Sequence, residues 1–396
     1  MDVRFSKEED RKLRECIEAN KDAALAFWRD LVNHEGQHGE KEMLLKTAGF
    51  LKDSLEAWGL SAELLDAGEL NAPVVTAVLN PDAPGKPIVF TGHYDTVFAA
   101  GSRGKDPFDV RDGKVYGPGC CDMKGGVTMA CFVVRMLQML EFKDCPVRLF
   151  FVGDEEVNHY GGTGIELIQE YTADVLAVFN MENRRESGEI CVGRKGNYEY
   201  KAITYGVGAH PGNAYDSGRN AILEMAYRII ALQAVTPPDP DRDYSVSVDV
   251  ISGGTVTNVV PDRCEVKIDV RIRSMAALEE CERKMREAVA VNTVPDTRTE
   301  LILVDPMPPF ETTPQVMETY ETVQKISDAV GNDITGYITV GGASDAAHML
   351  PGTKVLCQCG VKGAMTHNIG EYALLDSLYE GIRLFTHVVL NYEMFR

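Results

Sequence analysis

Apolar positions recur at helical spacing from residue 7 to 33 and again from Glu40 to Trp58, where Gly59 supplies a stop, so two amphipathic helices open the chain. Short β-rich runs follow at Ala62 to Leu65, Val74 to Leu79, Ile88 to Phe90, Val147 to Val152 and Val175 to Phe179. Between the third and fourth runs, the apolar stretch Val127 to Leu140 is long enough for a buried helix. Strands alternating with helices predict an α/β fold, a sheet covered on both faces.

From about Arg194 the pattern changes. A strand (Tyr198 to Tyr205), a helix (Asn220 to Ala234), two strands (Tyr244 to Ile251, Arg263 to Arg273), a helix (Ala276 to Ala290) and a strand (Thr299 to Val304) follow one another. This β-α-β-β-α-β order is that of a ferredoxin-like α+β unit. After Pro306-Met307-Pro308-Pro309 the first kind of signal resumes, with a strand at Lys354 to Cys359 and a closing helix from about Leu374. The expected organisation is a catalytic domain in two parts, 1–193 and 306–396, interrupted by an inserted domain at 194–305.

In open α/β sheets, ligands bind beyond the carboxyl ends of the strands, and polar residues gather at those ends here. Phe90 leads into T-G-H-Y-D-T-V, Val152 into G-D-E-E and Phe179 into N-M-E-N, while Asp122 sits in the glycine-rich turn Y-G-P-G-C-C-D-M-K-G-G ahead of the buried helix. Each residue alone has a bland reading, Asp122 as a helix cap and His93 as a core histidine. As a set they fit a metal pair: two divalent ions sharing one carboxylate need about one nitrogen and one further carboxylate each, plus a separate carboxylate to take a proton from water. His93, Asp122, Glu156, Glu182 and His367 fill the five ligand places, Glu155 is the spare base, and Asp95 is placed to hold the His93 tautomer.

Composition narrows the surroundings. An apolar fraction of 44% with 25% charged residues describes an ordinary globular protein, and no apolar run approaches the roughly 20 residues of a membrane span. A formal charge of −20 disfavours nucleic acid and anionic membrane as partners. Ten scattered cysteines, two of them adjacent at 120 and 121, suit a reducing compartment, and the start lacks a secretory apolar core, so the expected location is cytoplasmic.

The motifs T-G-H-Y-D-T-V, Y-G-P-G-C-C-D-M-K-G-G, G-D-E-E, M-E-N and M-T-H-N-I-G-E resemble, in order, those of the two-zinc aminoacylase and glutamate carboxypeptidase family, which includes acetylornithine deacetylase and succinyl-diaminopimelate desuccinylase. The resemblance runs from about residue 88 to 372. It implies a zinc-peptidase-like catalytic domain with an inserted lid that forms a homodimer. It also implies that Asp122 bridges the ions, with Glu156 and His367 on one and His93 and Glu182 on the other, and that Glu155 is the general base. The bond from Asp122 to Met123 is expected to be cis. In the lid, G-V-G-A-H-P-G places His210 where the family polarises the scissile carbonyl, and Asn258 and Arg271 stand where it binds a substrate carboxylate or the tetrahedral intermediate. The alternative for Arg271 is a salt bridge on the lid sheet. Gly341, Gly342 and Ser344 resemble the family's loop beside that carboxylate.

The substrate expected is a small peptide or N-acyl amino acid. P-F-D-V-R-D-G-K-V-Y-G-P-G, Glu182 and the Asn258 and Arg271 pair bring the chain nearest the glutamate carboxypeptidase branch. An N-acyl amino acid deacylase or a dipeptidase uses the same site, and a non-catalytic binding homologue is the competing class, although none of the six key positions is lost. Zinc suits the ligand types, and manganese or cobalt accepts the same donors. Other features read as structural: Glu156 and His159 have di-iron spacing but no helical bundle, Cys357 and Cys359 belong to a buried strand, and His34, His38, His348 and His387 show no partners.

Overall fold

The computed structural model describes residues 2–332 and 334–396. The chain divides into two compact units: one comprises the residues up to Val192 together with Thr312–Ile338 and Ser344–Arg396, the other Gly193–Glu311 and Thr339–Ala343.

In the first unit, helices α1 (Lys7–Asn33) and α2 (Lys41–Ala57) precede strands β1 (Ser61–Leu65), β2 (Val74–Leu79) and β3 (Ile88–His93). Helix α3 (Gly125–Met139), strand β4 (Val147–Val152), helix α4 (Gly164–Thr172) and strand β5 (Ala177–Asn180) follow. The six-stranded sheet has the order β1-β2-β4-β3-β5, with Val355–Leu356 as the last strand. β3 lies parallel to both neighbours, and β2 meets β4 antiparallel. Twelve of the fifteen residues of α3 are buried, which explains an apolar run without a polar face.

The expected strand Lys354 to Cys359 is shorter than its β-rich composition suggests. Val355 and Leu356 pair in parallel with Val178 and Phe179, after which the chain divides its bonds between two partners. The Cys357 N–H donates to the Cys191 carbonyl, the Cys359 N–H to Asn180 and the Gly360 N–H to Glu182. Residues 355–363 thus zip along the extension of β5 toward the loop that bears His367.

The N-terminal helix is fastened by Asp10, which accepts hydrogen bonds from Arg383 Nε at 2.7 Å and His387 Nε2 at 2.9 Å. His387 is therefore partnered, as are His34, whose Nδ1–H donates to the Asp30 carbonyl at 2.7 Å, and His348, at 3.1 Å from Asn158. The expectation of no partner fails for these three because each partner is a backbone carbonyl or a residue brought in by folding.

In the second unit, β6 (Gly196–Tyr205), α5 (Ala221–Gln233), β7 (Tyr244–Gly253), β8 (Arg263–Ile272), α6 (Met275–Ala290) and β9 (Arg298–Met307) form an antiparallel sheet in the order β7-β8-β6-β9. The alternation in β8 follows the pleat: Cys264, Val266, Ile268, Val270 and Ile272 are buried beneath the two helices. Asn220 and Ser274 cap those helices by accepting the N–H groups of Leu223 and Ala277. Among the described residues, no helix is long and apolar enough to cross a membrane.

Candidate metal centre

β4, β3 and β5 are neighbours in the sheet, so their carboxyl ends deliver Glu155 and Glu156, His93, and Glu182 to one edge. Asp122 enters from the turn before α3, whose start presses so closely on Met181 that a Cβ on Gly126 would collide with the Met181 carbonyl. The bond between Asp122 and Met123 is cis. His367 completes the set from the loop after residue 363, held in a left-handed conformation at φ 59°.

Two triads result, sharing one carboxylate. His93, Asp122 and Glu182 form the first, and Asp122, Glu156 and His367 the second. His93 Nε2 lies 3.2 Å from Asp122 Oδ1 and 3.6 Å from Glu182 Oε1. His367 Nε2 lies 3.4 Å from the other oxygen, Asp122 Oδ2, and 3.2 Å from Glu156 Oε2. Glu155 belongs to neither triad, yet its Oε2 is 3.9 Å from His93 Nε2.

The tautomer of His93 follows from its second nitrogen. Nδ1 is 3.1 Å from the Asp95 carbonyl and 3.3 Å from its carboxylate, so Nδ1 keeps a proton and Nε2 is the nitrogen that faces the centre, where it would serve as a ligand once an ion displaces its own proton. The Asp95 carboxylate also accepts the N–H groups of Glu155 at 3.4 Å and Glu156 at 3.1 Å, coupling the histidine to the turn that carries both glutamates.

The donor set fits two divalent cations. Four carboxylates, those of Asp122, Glu155, Glu156 and Glu182, gather around two imidazoles, His93 buried and His367 exposed, an excess of negative charge that a pair of dications would neutralise. Burial and mutual repulsion act on each of these groups differently. Burial raises Glu155 well above the ordinary carboxylate range and Glu156 less so. Asp122 resists its own burial through hydrogen bonds from His367 and His93 and stays well below that range. Hydrogen bonds to Asp122 and Glu156 raise His367 to about 11.

Glu371, in the M-T-H-N-I-G-E run but given no role above, braces this centre from beneath. Its fully buried carboxylate accepts the backbone N–H of Gly119 at 3.0 Å, of Cys121 at 2.8 Å and of Asp122 at 3.0 Å. The loop of His367 and the loop of Asp122 are therefore one assembly. Glu371→Gln replaces an acceptor oxygen by an NH₂ that faces backbone donors. Metal affinity should fall about 10- to 100-fold, measured by competition with a chelator, while excess metal restores turnover; unchanged affinity would show that Glu371 does not set the position of Asp122.

The remaining predicted residues belong to neither triad. His210 is exposed, and its Nδ1 accepts the N–H groups of Gly212 at 3.1 Å and Asn213 at 3.2 Å, which leaves the proton on Nε2. Asn258 is exposed. Arg271 forks onto Asp269 with contacts of 2.8 and 2.9 Å, the same-face salt bridge on the sheet that the sequence left open. Gly341 and Gly342 are exposed and lie in the second unit, where Arg194 Nη1 donates to the carbonyls of Gly342 and Ala343. Ser344 belongs to the first unit and is fully buried, its hydroxyl 3.4 Å from Cys357 Sγ. Cys120, Cys121, Cys357 and Cys359 are buried thiols, and no disulfide occurs among the described residues.

Comparison with known proteins agrees with this arrangement. A profile of the Peptidase family M20/M25/M40 matches residues 89–391. Carboxypeptidase G2 of Pseudomonas sp. (strain RS-16) is 23% identical over 374 residues, covering 93% of this chain and 89% of the relative. A succinyl-diaminopimelate desuccinylase of Sulfurimonas denitrificans is 29% identical over 322 residues, covering 77% and 84%. The solved structure of the Bacillus subtilis YXEP protein, described as a dinuclear metal-binding peptidase of the M20 family, superimposes with a TM-score of 0.71 at 18% identity over 94% of this chain and 99% of its own. The match covers most of the chain and every residue of both triads, and the chain belongs to Peptidase family M20/M25/M40 as a metallopeptidase.

Proposed function

We propose that the protein hydrolyses an amide or peptide bond next to a free carboxylate, in the manner of a glutamate carboxypeptidase, with Glu155 as general base. The observation that carries this is the position of Glu155: beside both triads, belonging to neither, on a turn fixed by Asp95. Two divalent ions, zinc by ligand type, held by His93, Asp122 and Glu182 and by Asp122, Glu156 and His367, would acidify the attacking water and polarise the scissile carbonyl. Glu155 takes one proton from that water as its oxygen adds to the carbonyl carbon. It returns the proton to the nitrogen as the C–N bond breaks. His210, with its Nε2–H available, donates to the developing oxyanion. Asn258 and Arg271 bind the substrate carboxylate, which for Arg271 means exchanging the Asp269 carboxylate for that of the ligand.

A relative named as a carboxypeptidase and another named as a desuccinylase make terminal residues and N-acyl groups the two substrate classes to compare. The test is amine release by the zinc-loaded protein from C-terminal glutamate conjugates, dipeptides and N-acyl amino acids. Preferred cleavage of the glutamate conjugates supports the carboxypeptidase reading, and preferred cleavage of N-acyl amino acids replaces it with a deacylase. No cleavage by protein carrying two metal equivalents would favour a binding homologue.

The second unit acts in this proposal as the lid and dimer surface. On α5, Leu223, Tyr227 and Ile230 form an exposed apolar stripe, Ile230 being 70% exposed, and β7 beside it is an edge strand with exposed Val250 and Ile251. Self-complementary pairing with a second copy buries both features. Ile230→Asp should convert a dimer to a monomer in sedimentation; an unchanged mass would remove α5 from the interface.

A further inference from the structure

The turn after β4 closes on a histidine that the reaction above does not use. His159 stands three residues beyond Glu156, and its ring is buried. Nδ1 lies 2.7 Å from Asp154 Oδ1 and Nε2 lies 2.8 Å from Asp345 Oδ1. Ionised carboxylates only accept, so a carboxylate oxygen at each nitrogen calls for a proton on both. Burial opposes the resulting charge, but Asp345 and Asp154 outweigh it and raise the ring to about 11.

The surroundings hold this ring in place. Asn71 Nδ2 donates to the second oxygen of Asp154 at 2.6 Å, and the His159 N–H donates to the Asp154 carbonyl at 3.0 Å. The His348 ring packs edge-on at 5.5 Å. Asn158 and His159 both take positive φ, 51° and 56°, a conformation that residues with a Cβ hold only where their environment imposes it. Helix α4 begins with Gly164, where a Cβ would run into the imidazole. Asp154 directly precedes Glu155, and the amides of Glu155 and Glu156 are held by Asp95. The turn is gripped at its amides by Asp95 and at its first residue by His159.

We propose that His159 is the positioning residue of this turn: by bridging Asp154 and Asp345 it ties the segment carrying Glu155 and Glu156 to the turn Asp345–His348, and so fixes where Glu155 meets the attacking water. The proposal deepens the reading above and rests on Glu155 as base. His159, Asp345 and His348 also offer donor atoms near enough to one another for an ion. Both nitrogens of His159 are already at hydrogen-bond distance from carboxylates, however, and 2.8 Å suits a shared proton better than a shared metal, whose ligand atoms stand farther apart.

The test uses the full-length, zinc-loaded protein. His159→Gln removes the charge and one of the two donors, leaving Asp154 and Asp345 uncompensated. kcat should fall about 10- to 100-fold with KM nearly unchanged and two metal equivalents retained. Adding Asp345→Asn removes the repulsion and should recover a large part of kcat. On wild-type protein, proton NMR should show two slowly exchanging ring N–H signals from His159, a readout independent of turnover that stands even where the variant does not fold. Absence of those signals, an unchanged kcat, a loss of kcat matched by loss of metal, or a third metal equivalent that His159→Gln abolishes would each overturn the proposal. Turnover surviving in Glu155→Gln would instead sink the assignment of the base, and with the ring signals present would separate that failure from failure of the bridge.

Discussion

Glu155→Gln should lose about 10²- to 10⁴-fold in kcat while both triads remain able to load. Glutamine keeps the size and shape of the side chain but cannot accept the proton of the attacking water. The features that place residue 155 survive the change, because its bond to Asp95 is made by the backbone N–H and Glu156 keeps its own at 3.1 Å. Neither triad contains Glu155, so each keeps its nitrogen and two oxygens. The measurement pairs amine release with metal content by mass spectrometry. Loss of activity with two equivalents bound is the expected result; retained activity would mean that proton transfer is handled elsewhere.

Asp122→Ala should fail differently. The two oxygens of Asp122 serve different histidines, Oδ1 toward His93 and Oδ2 toward His367. Without them each triad is reduced to one nitrogen and one carboxylate, short of the three protein ligands typical of a catalytic zinc site. Metal content should drop below one equivalent per chain, and turnover should not return in excess zinc. That sets it apart from Glu371→Gln, where the ligands persist and only their placement is loosened. Two equivalents bound by Asp122→Ala, with turnover, would end the shared-carboxylate reading.

Much of the catalytic unit was legible because its signals are local. Val74–Leu79 and Val147–Val152 are bounded in the structure where their β-branched and aromatic runs begin and end. The motif residues at the strand ends converge as the rule for parallel sheets requires. What escaped notice depends on distant partners. The small sheet of Asp109–Arg111, Lys114–Tyr116, Gly363–Ala364 and Tyr372–Leu374 is built of strands of two or three residues, too short for any periodicity. Glu371 works through backbone amides some 250 positions earlier, which no spacing rule encodes. The spacing of His159 to Glu156 carries no role, because its partners are Asp154 and Asp345, the second far along the chain.

The zipper of residues 355–363 along the extension of β5 also bears on how the protein is made. Glu182 emerges from the ribosome with His93 and Asp122 already synthesised, but its backbone partner Gly360 and the histidine of the second triad come only after the whole inserted unit. All three residues of the first triad are therefore synthesised well before the second triad has its histidine. A chain ending before residue 360 would lack His367, and with it the nitrogen donor of the second triad, although every strand that carries the first triad would be in place.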